Sequence, residues 1–514
     1  MLPAARRLWS LALAALFVFA LWMRADVVAH VEHPGHGDAA FYYTAAKNLA
    51  ERGRLEVDYV WHFLDPPEGL THPAGDYWAT FASVLMAAPI AAGAGLKGAT
   101  ALAALFGLLT GLATLFAARA LNASRTVQLA SCAVALLHPA LVNASTSPDA
   151  TIFYVAFVTA TFALITRGAR DPAAYGWAAA AAALGYATRQ DAVLLAPTLA
   201  IAVLLSPHDW RTRRRALVRA ALVYLACVTP LLVQRYVELG SPFPHGLSRA
   251  VFARSYEDLY SYSAPLDWTS YRAWGWDAIL ESKRTAVANN LQTLLRALGP
   301  ALAAALGIGW LRSLRRDAGV RSALLSLLAF LALQVVFYGV VVTVVASHGS
   351  FQRVTLAMLP FLVLVGLNGL DGWLPWSGVN AALLLGLCLP RVGGSDVLAH
   401  RKLQLNAGLS EHSERLHVAL ERTLRPGDPP PVLMTRNPWE LHLTRGYGAV
   451  QIPTDGLPTV LHVAERYGVT HLVLPAPRTG LSISMAEQHP RLECVAALRG
   501  TPIRVYRLDG RADP

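Results

Sequence analysis

The sequence predicts an α-helical polytopic membrane protein with a small C-terminal α/β domain. Three observations carry that prediction. Of 514 residues, 54% are hydrophobic and only 15% charged, against about 25% charged in an ordinary soluble domain. Apolar runs recur at 8–29, 99–118, 126–142, 150–166, 216–235, 323–346 and 354–369, several of them reaching the roughly 20 residues that carry a helix across about 30 Å of hydrocarbon. After Pro390 the chain turns polar. The apolar runs lack the period-2 alternation of a barrel, so helices are left to satisfy the backbone polar groups in lipid.

The elements follow in order. Arg6 and Arg7 precede a first apolar run with no A-x-A site at its end, which reads as an uncleaved signal anchor with a cytoplasmic N-terminus. A first outer loop with a juxtamembrane helix spans 30–78. The segment 79–92 is short for a span and runs into Gly93-Ala94-Gly95; read as re-entrant or interfacial, it leaves about 11 full spans, with 11–13 open. Basic loops at 119–125, 167–170, 211–219 and 312–321 are expected in the cytoplasm. The loops at 143–149, 188–191, 237–290 and 347–353 carry less positive charge and are expected outside. The membrane domain is thus 1–390, and 391–514 form a soluble extracytoplasmic domain. In that domain 432–435, 470–474 and 503–508 read as strands and 457–467 as a helix. The expected location is the inner or plasma membrane. The net charge of +11 is accounted for by the basic loops and does not call for nucleic acid. Cys132, Cys227, Cys388 and Cys494 are scattered, with neither metal spacing nor a disulfide framework.

Ionisable side chains at membrane depth are costly, so those gathered at span ends on one face are candidates for function. On the outer face these are Asp38, His72 and Asp76 in the first loop, Asp149 before one span, Arg189 and Asp191 between two spans, and His348 and Arg353 between two more. Each has a structural reading beside the functional one. Asp38 can cap a helix over 39–52. Ser147-Pro148-Asp149 suits a helix start, with Ser147 as cap and Pro148 at the first position. Arg189 and Asp191 can pair with one another, and Arg353 can anchor at the interface. The run His33-Pro34-Gly35-His36-Gly37-Asp38 offers two imidazoles and a carboxylate to a metal, but its Pro and Gly content reads as a loop. No metal site is assigned; a divalent cation is possible and not favoured. The loop 237–290 holds Tyr256, Tyr260, Tyr262, Trp268, Tyr271, Trp274 and Trp276, which suit either a lid over substrate or an interfacial belt.

Several of these residues fall in a familiar order. Gly37-Asp38-Ala39-Ala40-Phe41-Tyr42-Tyr43, Asn48-Leu49-Ala50-Glu51-Arg52-Gly53 and Thr71-His72-Pro73 in the first loop resemble the polytopic GT-C glycosyltransferases, closest in look to the family 39 type with protein mannosyltransferases and the lipid A aminoarabinose transferase. Ser147-Pro148-Asp149, Thr188-Arg189-Gln190-Asp191-Ala192, Gly240-Ser241-Pro242-Phe243-Pro244 and the run from Arg353 to Leu359-Pro360 extend the resemblance over about residues 1–390. The chain departs from the family in having His72-Pro73-Ala74 rather than a double proline, and a single acid at Asp38 rather than a pair.

The resemblance implies a GT-C-like membrane domain and transfer of a sugar from a polyprenyl-phosphate donor to an envelope lipid, glycan or protein acceptor, on the extracytoplasmic face and with inversion. It implies Asp38 as the base and Asp149 as a second catalytic-site acid. A lipid phosphate leaving group calls for planar, bidentate donors, which implies Arg189 and Arg353, with His348 beside them. His72, Asp76 and Asp191 are left to orient the acceptor or the loops. No nucleotide and no nucleic acid are expected. Two other readings remain: a transporter or flippase of lipid-linked sugars, and a non-catalytic envelope assembly protein.

Overall fold

A computed structural model of the protein describes residues 3–374, 377–424, 429–474 and 481–508. The chain divides into two compact units. The first comprises Met1–Val31, Trp78–Gln234 and Lys283–Leu403; the second comprises Glu32–Tyr77, Arg235–Ser282 and Gln404–Pro514. The protein is an α-helical polytopic membrane protein with a small C-terminal α/β region, as the apolar runs and the polar tail predict.

In the first unit the apolar runs are helices. Among the described residues, those long and apolar enough to span are Arg7–His30, Phe81–Ala120, Ala150–Gly168, Trp210–Leu239, Ala318–Val341 and Thr343–Leu370. A pair bent by 97°, Trp276–Leu298 with Pro300–Ser313, adds one more, and Arg125–Leu137, Gln190–Leu204 and Gly378–Arg391 are shorter apolar helices. These helices do not by themselves give the expected count of eleven. Phe81–Ala120 is 40 residues long. At 1.5 Å per residue that is about 60 Å, twice the hydrocarbon thickness. It breaks at Gly93, whose φ of 83° only glycine adopts readily.

Side-chain exposure fits lipid rather than water. Leu222 and Leu225 on Trp210–Leu239 are 63% and 58% exposed, a pattern expected where the surrounding solvent is as apolar as the side chain. Helix packing uses small residues for the same reason. A Cβ on Gly309 would collide with the Gly366 carbonyl, and one on Gly369 with the Gly309 carbonyl, so helices Pro300–Ser313 and Phe351–Leu370 meet backbone to backbone. Trp310 Nε1 donates to the Leu362 carbonyl at 3.1 Å and Arg312 Nε to that of Gly369 at 3.1 Å across the same contact.

The second unit is built on β-strands. They are β1 (Glu56–Val57), β2 (Tyr59–Val60), β3 (His72–Pro73), β4 (Leu433–Thr435), β5 (Ala449–Gln451), β6 (His471–Leu474), β7 (Leu492–Ala497) and β8 (Arg504–Leu508). β1 pairs antiparallel with β3, and the other six form one sheet in the order β2-β5-β4-β6-β8-β7. The β2, β5, β4 and β6 contacts are parallel, and β8 and β7 close the sheet antiparallel. The strands expected at 432–435, 470–474 and 503–508 are β4, β6 and β8, and the helix expected at 457–467 is Leu457–Arg466. Its apolar face buries Val460, Val463 and Ala464 against Met434, Val450 and Leu472 of the sheet.

The edge strand β2 comes from the first loop. The long loop is fastened to the same unit. Asp455 accepts hydrogen bonds from Ser261 Oγ at 2.8 Å, from the Tyr262 amide at 2.7 Å and from Ser263 Oγ. The Thr454 amide donates to the Tyr260 carbonyl at 3.1 Å. The units therefore group segments of 30–78 and 237–290 with the C-terminal residues. The sequence boundary at 390/391 follows polarity, whereas these units follow packing.

Candidate active site

In the first unit Asp149, Arg189 and Asp191 gather at one end of a helix pair. Asp149 has extended backbone (φ −126°, ψ 170°) and caps the helix Ala150–Gly168, its carboxylate accepting from the Thr151 amide. The cap is thus Asp149, not Ser147 with Pro148 in the first turn as the sequence suggested. Ser147 is otherwise engaged: its Oγ donates to the Asn143 carbonyl at 3.0 Å and accepts from Lys402. Five residues along the helix, about 7.5 Å down its axis, the Tyr154 hydroxyl donates to Asp191 Oδ2 at 3.2 Å. Asp191 lies just beyond the end of the neighbouring helix Ala174–Thr188, which Arg189 terminates with extended backbone. Asp149, Arg189 and Asp191 therefore share one end of this pair.

Arg189 is held from three sides. Its Nε donates to Asp191 Oδ1 at 3.0 Å, its Nη2 donates to the Tyr338 hydroxyl at 3.2 Å, and its guanidinium lies 5.3 Å from the centre of the Tyr154 ring. The two charged side chains are 13% and 3% exposed. The Asp191 carbonyl also accepts from Gln334 Nε2 at 3.2 Å. Such contacts fix the plane of a guanidinium.

Tyr338 packs edge-on against Phe351, with ring centres 6.2 Å apart. Arg353, half-buried, stands two residues further along the helix Phe351–Leu370. The helix that carries Arg353 is thereby joined to the Arg189 cluster through one pair of rings. His348 is exposed at the break before this helix, where Gly349 has a φ of 105°, and its Nδ1 lies 3.0 Å from the Val344 carbonyl.

A lysine that sequence reasoning missed completes the Asp149 end. Lys402 Nζ donates to the carbonyls of Asn143 at 3.1 Å and Thr146 at 2.7 Å, to Thr146 Oγ1 at 3.3 Å and to Ser147 Oγ. Burial lowers its pKa to about 7, against the opposing pull of the Asp149 charge. Arg24 also went unread. It is fully buried, and its guanidinium donates to Ser145 Oγ and to the carbonyls of Ala20 and Leu136, each at 2.9 Å. Those bonds mark it as a structural cation.

In the second unit Asp38 is the second residue of the helix Gly37–Arg52 and is half-buried. The N-cap is His36, whose ring accepts from the Ala39 amide at 3.4 Å, so Asp38 stands inside the first turn rather than at the cap position. A carboxylate in the first turn still benefits from the helix dipole. The start of the helix is packed tightly. A Cβ on Gly37 would approach Trp61 to 2.8 Å and Trp439 to 2.9 Å, and these two rings lie 4.4 Å apart.

His72 and Asp76 are brought together. His72 Nδ1 lies 2.9 Å from Asp76 Oδ2, and its Nε2 lies 3.0 Å from the Tyr59 carbonyl. Burial alone would lower the His72 pKa, but the charge and hydrogen bond of Asp76 outweigh it and raise it. For Asp76, burial is likewise overcome by His72, and its pKa falls. His62 is buried and pushed down to about 4.

The other first-loop motif residues converge on Asp58, which accepts from Asn48 Nδ2 at 3.1 Å, Arg52 Nη1 at 2.9 Å and Thr71 Oγ1 at 2.8 Å. Gly53 ends the helix with a φ of 70°. The Asn48–Gly53 and Thr71–Pro73 motifs thus tie the first loop to itself.

Among the described residues, no group of three or more His, Cys, Asp or Glu could hold a metal ion. In the 33–38 run, each imidazole has Nδ1 committed to the backbone: His33 accepts from the Gly35 amide at 3.0 Å, and His36 caps as above.

No protein-family model and no curated protein matches the chain. Solved structures do. ArnT from Cupriavidus metallidurans in the apo state superposes with a TM-score of 0.61 at 14% identity, over 97% of this chain and 98% of that one. The same protein bound to undecaprenyl phosphate gives 0.54 at 14% identity, with full coverage of both chains. The Archaeoglobus fulgidus oligosaccharyltransferase in complex with zinc and sulfate gives 0.55 at 13% identity, over 89% of this chain and 67% of that one. The resemblance to GT-C glycosyltransferases expected from the motifs is thereby shown as a likeness of fold.

Proposed function

We propose that the protein is a membrane glycosyltransferase. It moves a sugar from a polyprenyl-phosphate donor to an envelope lipid, glycan or protein acceptor on the extracytoplasmic face. The bond between the anomeric carbon and the phosphate oxygen breaks, a bond from that carbon to an acceptor oxygen forms with inversion, and polyprenyl phosphate leaves. Asp38 takes the acceptor proton, a step that a carboxylate within hydrogen-bond reach can perform. Arg189 and Arg353 receive the phosphate charge, with His348 assisting. Asp191 orients Arg189, Asp149 orients the acceptor, and the His72–Asp76 pair keeps the first loop in shape.

The observation that carries this reading is the Arg189 cluster: a mostly buried guanidinium, aimed by Asp191, Tyr338 and Tyr154, at the same helix-pair end as Asp149. Planar donors of this kind suit phosphate oxygens. The fold likeness to ArnT, one structure of which holds undecaprenyl phosphate, points to the same donor class. The zinc-bound neighbour raises the question of a metal. The donors of this chain do not gather into a ligand set among the described residues, so no step is routed through a metal.

The test is transfer by the full-length protein in vesicles, with donor lipids and acceptors extracted from the source membranes and release of polyprenyl phosphate followed by mass spectrometry. The native protein should release it. Arg189→Lys, which keeps the charge and loses the fork, should slow release by about 100-fold if two hydrogen bonds of about 1.4 kcal/mol each are lost. Unchanged release by this variant removes the phosphate role from Arg189. No release by the native protein contradicts the reaction itself.

A further inference from the structure

Lys402 has no part in the reaction as proposed, yet its ammonium is surrounded by oxygens of one turn. An ammonium has three hydrogens. Asn143 O, Thr146 O, Thr146 Oγ1 and Ser147 Oγ are enough to occupy all of them. A cation saturated in this way is badly suited to binding a phosphate and well suited to holding a turn. The turn leads directly to Asp149. Ser147 Oγ is bonded back to the Asn143 carbonyl at 3.0 Å, and the Asp149 amide donates to the Ser147 carbonyl at 2.9 Å. Pro148, between them, has no amide hydrogen to contribute. The clamp on Ser147 therefore reaches Asp149 through the short Ser147-Pro148-Asp149 segment and this backbone hydrogen bond, with the Asp149 charge also acting on the lysine.

We propose that Lys402 is a positioning residue, which clamps the 143–147 turn and so fixes the Asp149 carboxylate in the orientation that transfer uses. The proposal rests on the functional reading of Asp149 and adds the source of its orientation. A second contact seats the same helix: His400 Nε2, two residues earlier, lies 3.2 Å from Asp26 Oδ2.

Two measurements on the full-length protein test it. The first is independent of activity. In Lys402→Met, amide exchange across 143–152 should quicken about tenfold or more, as expected for loss of about 1.4 kcal/mol of local protection, while exchange across 174–204 stays as in the native protein. Should Lys402→Met fail to fold, Lys402→Gln keeps two donor hydrogens and should show a smaller rise at the same amides. Unchanged exchange at 143–152 overturns the clamp. The second uses the vesicle assay with membrane-extracted donor lipid. Lys402→Met should lower kcat about tenfold with KM for that lipid changed less than about twofold, and combined with Asp149→Asn it should be no slower than Asp149→Asn alone. Losses that multiply in the double variant overturn action through Asp149. A native protein that transfers nothing refutes the glycosyltransferase reading instead, and the exchange result still decides the clamp.

Discussion

Replacing Asp191 by Asn removes the counter-ion of a buried arginine while keeping the side chain's size. The Asp191 side chain is 3% exposed and that of Arg189 13%, with Nε and Oδ1 3.0 Å apart. Breaking a buried pair from one side costs about 3–5 kcal/mol, because the remaining charge is stranded. Asn keeps an oxygen that can accept from Tyr154 or from Arg189, which places Asp191→Asn at the lower end, about 3 kcal/mol. Arg189→Met strands the carboxylate beside the Tyr154 hydroxyl and should cost about the same. The double variant strands neither charge and should cost little more than either single one, a coupling of about 3 kcal/mol. Equilibrium unfolding of the four proteins in mixed detergent micelles measures the cycle. A double variant near the sum of the singles, about 6 kcal/mol, would show that the two charges do not depend on each other, and the argument that Asp191 aims Arg189 would fail.

Three further outcomes are expected. The His72–Asp76 pair makes stability depend on pH. His72 has a raised folded-state pKa, so its contribution is fully present below its unfolded value of 6.5 and is lost as pH rises through the folded one. Asp76 has a lowered one, so its contribution is present above 3.8 and is lost as pH falls through the folded value. The Tm gap between the native protein and His72→Gln should thus be widest near about pH 5 and narrow above neutrality, and a gap flat from acid to alkaline pH would contradict the pairing. Gly309→Ala drives a methyl into the Gly366 carbonyl and should cost about 3 kcal/mol or more, as overpacking against backbone that cannot yield; near-native stability would refute the backbone-to-backbone contact. Asp455→Ala removes the acceptor of Ser261, Tyr262 and Ser263 and should speed limited proteolysis within 255–264 with little change in Tm. Unchanged cleavage would mean that this anchor does not hold the loop.

Much of this architecture could be read from the chain, for identifiable reasons. Runs such as 150–166 and 354–369 are long and apolar, so their helices needed no tertiary information. β4, β6 and β8 announced themselves through clustered apolar and β-branched residues. β2 and β5 did not: two and three residues long, they are strands because of what lies beside them. At the site, Asp149, Arg189 and Asp191 stood out because charges at span ends are costly, and Tyr154 turns out to tie two of those ends together. Lys402 was hidden because its partners lie 255 to 259 positions away and its own helix is polar, so one more lysine beside Arg401 carries no signal. The Ser147 cap failed for a related reason. The local pattern was sound, but the Ser147 hydroxyl is drawn into bonds with Asn143 and Lys402, and the capping falls to Asp149. Asp58 was passed over because its partners come from two stretches of the first loop, Asn48 and Arg52 on one helix and Thr71 beyond β2.

The central claim is sugar transfer from a lipid phosphate with Asp38 as base. The most direct measurement is mass spectrometry of envelope lipids, glycans and glycoproteins from source cells carrying either the native chain or Asp38→Asn at equal membrane abundance. A lost base should slow transfer by about 100- to 10,000-fold. One sugar-bearing species should therefore vanish while its polyprenyl-phosphate donor accumulates. Identical profiles from the two strains would contradict the account.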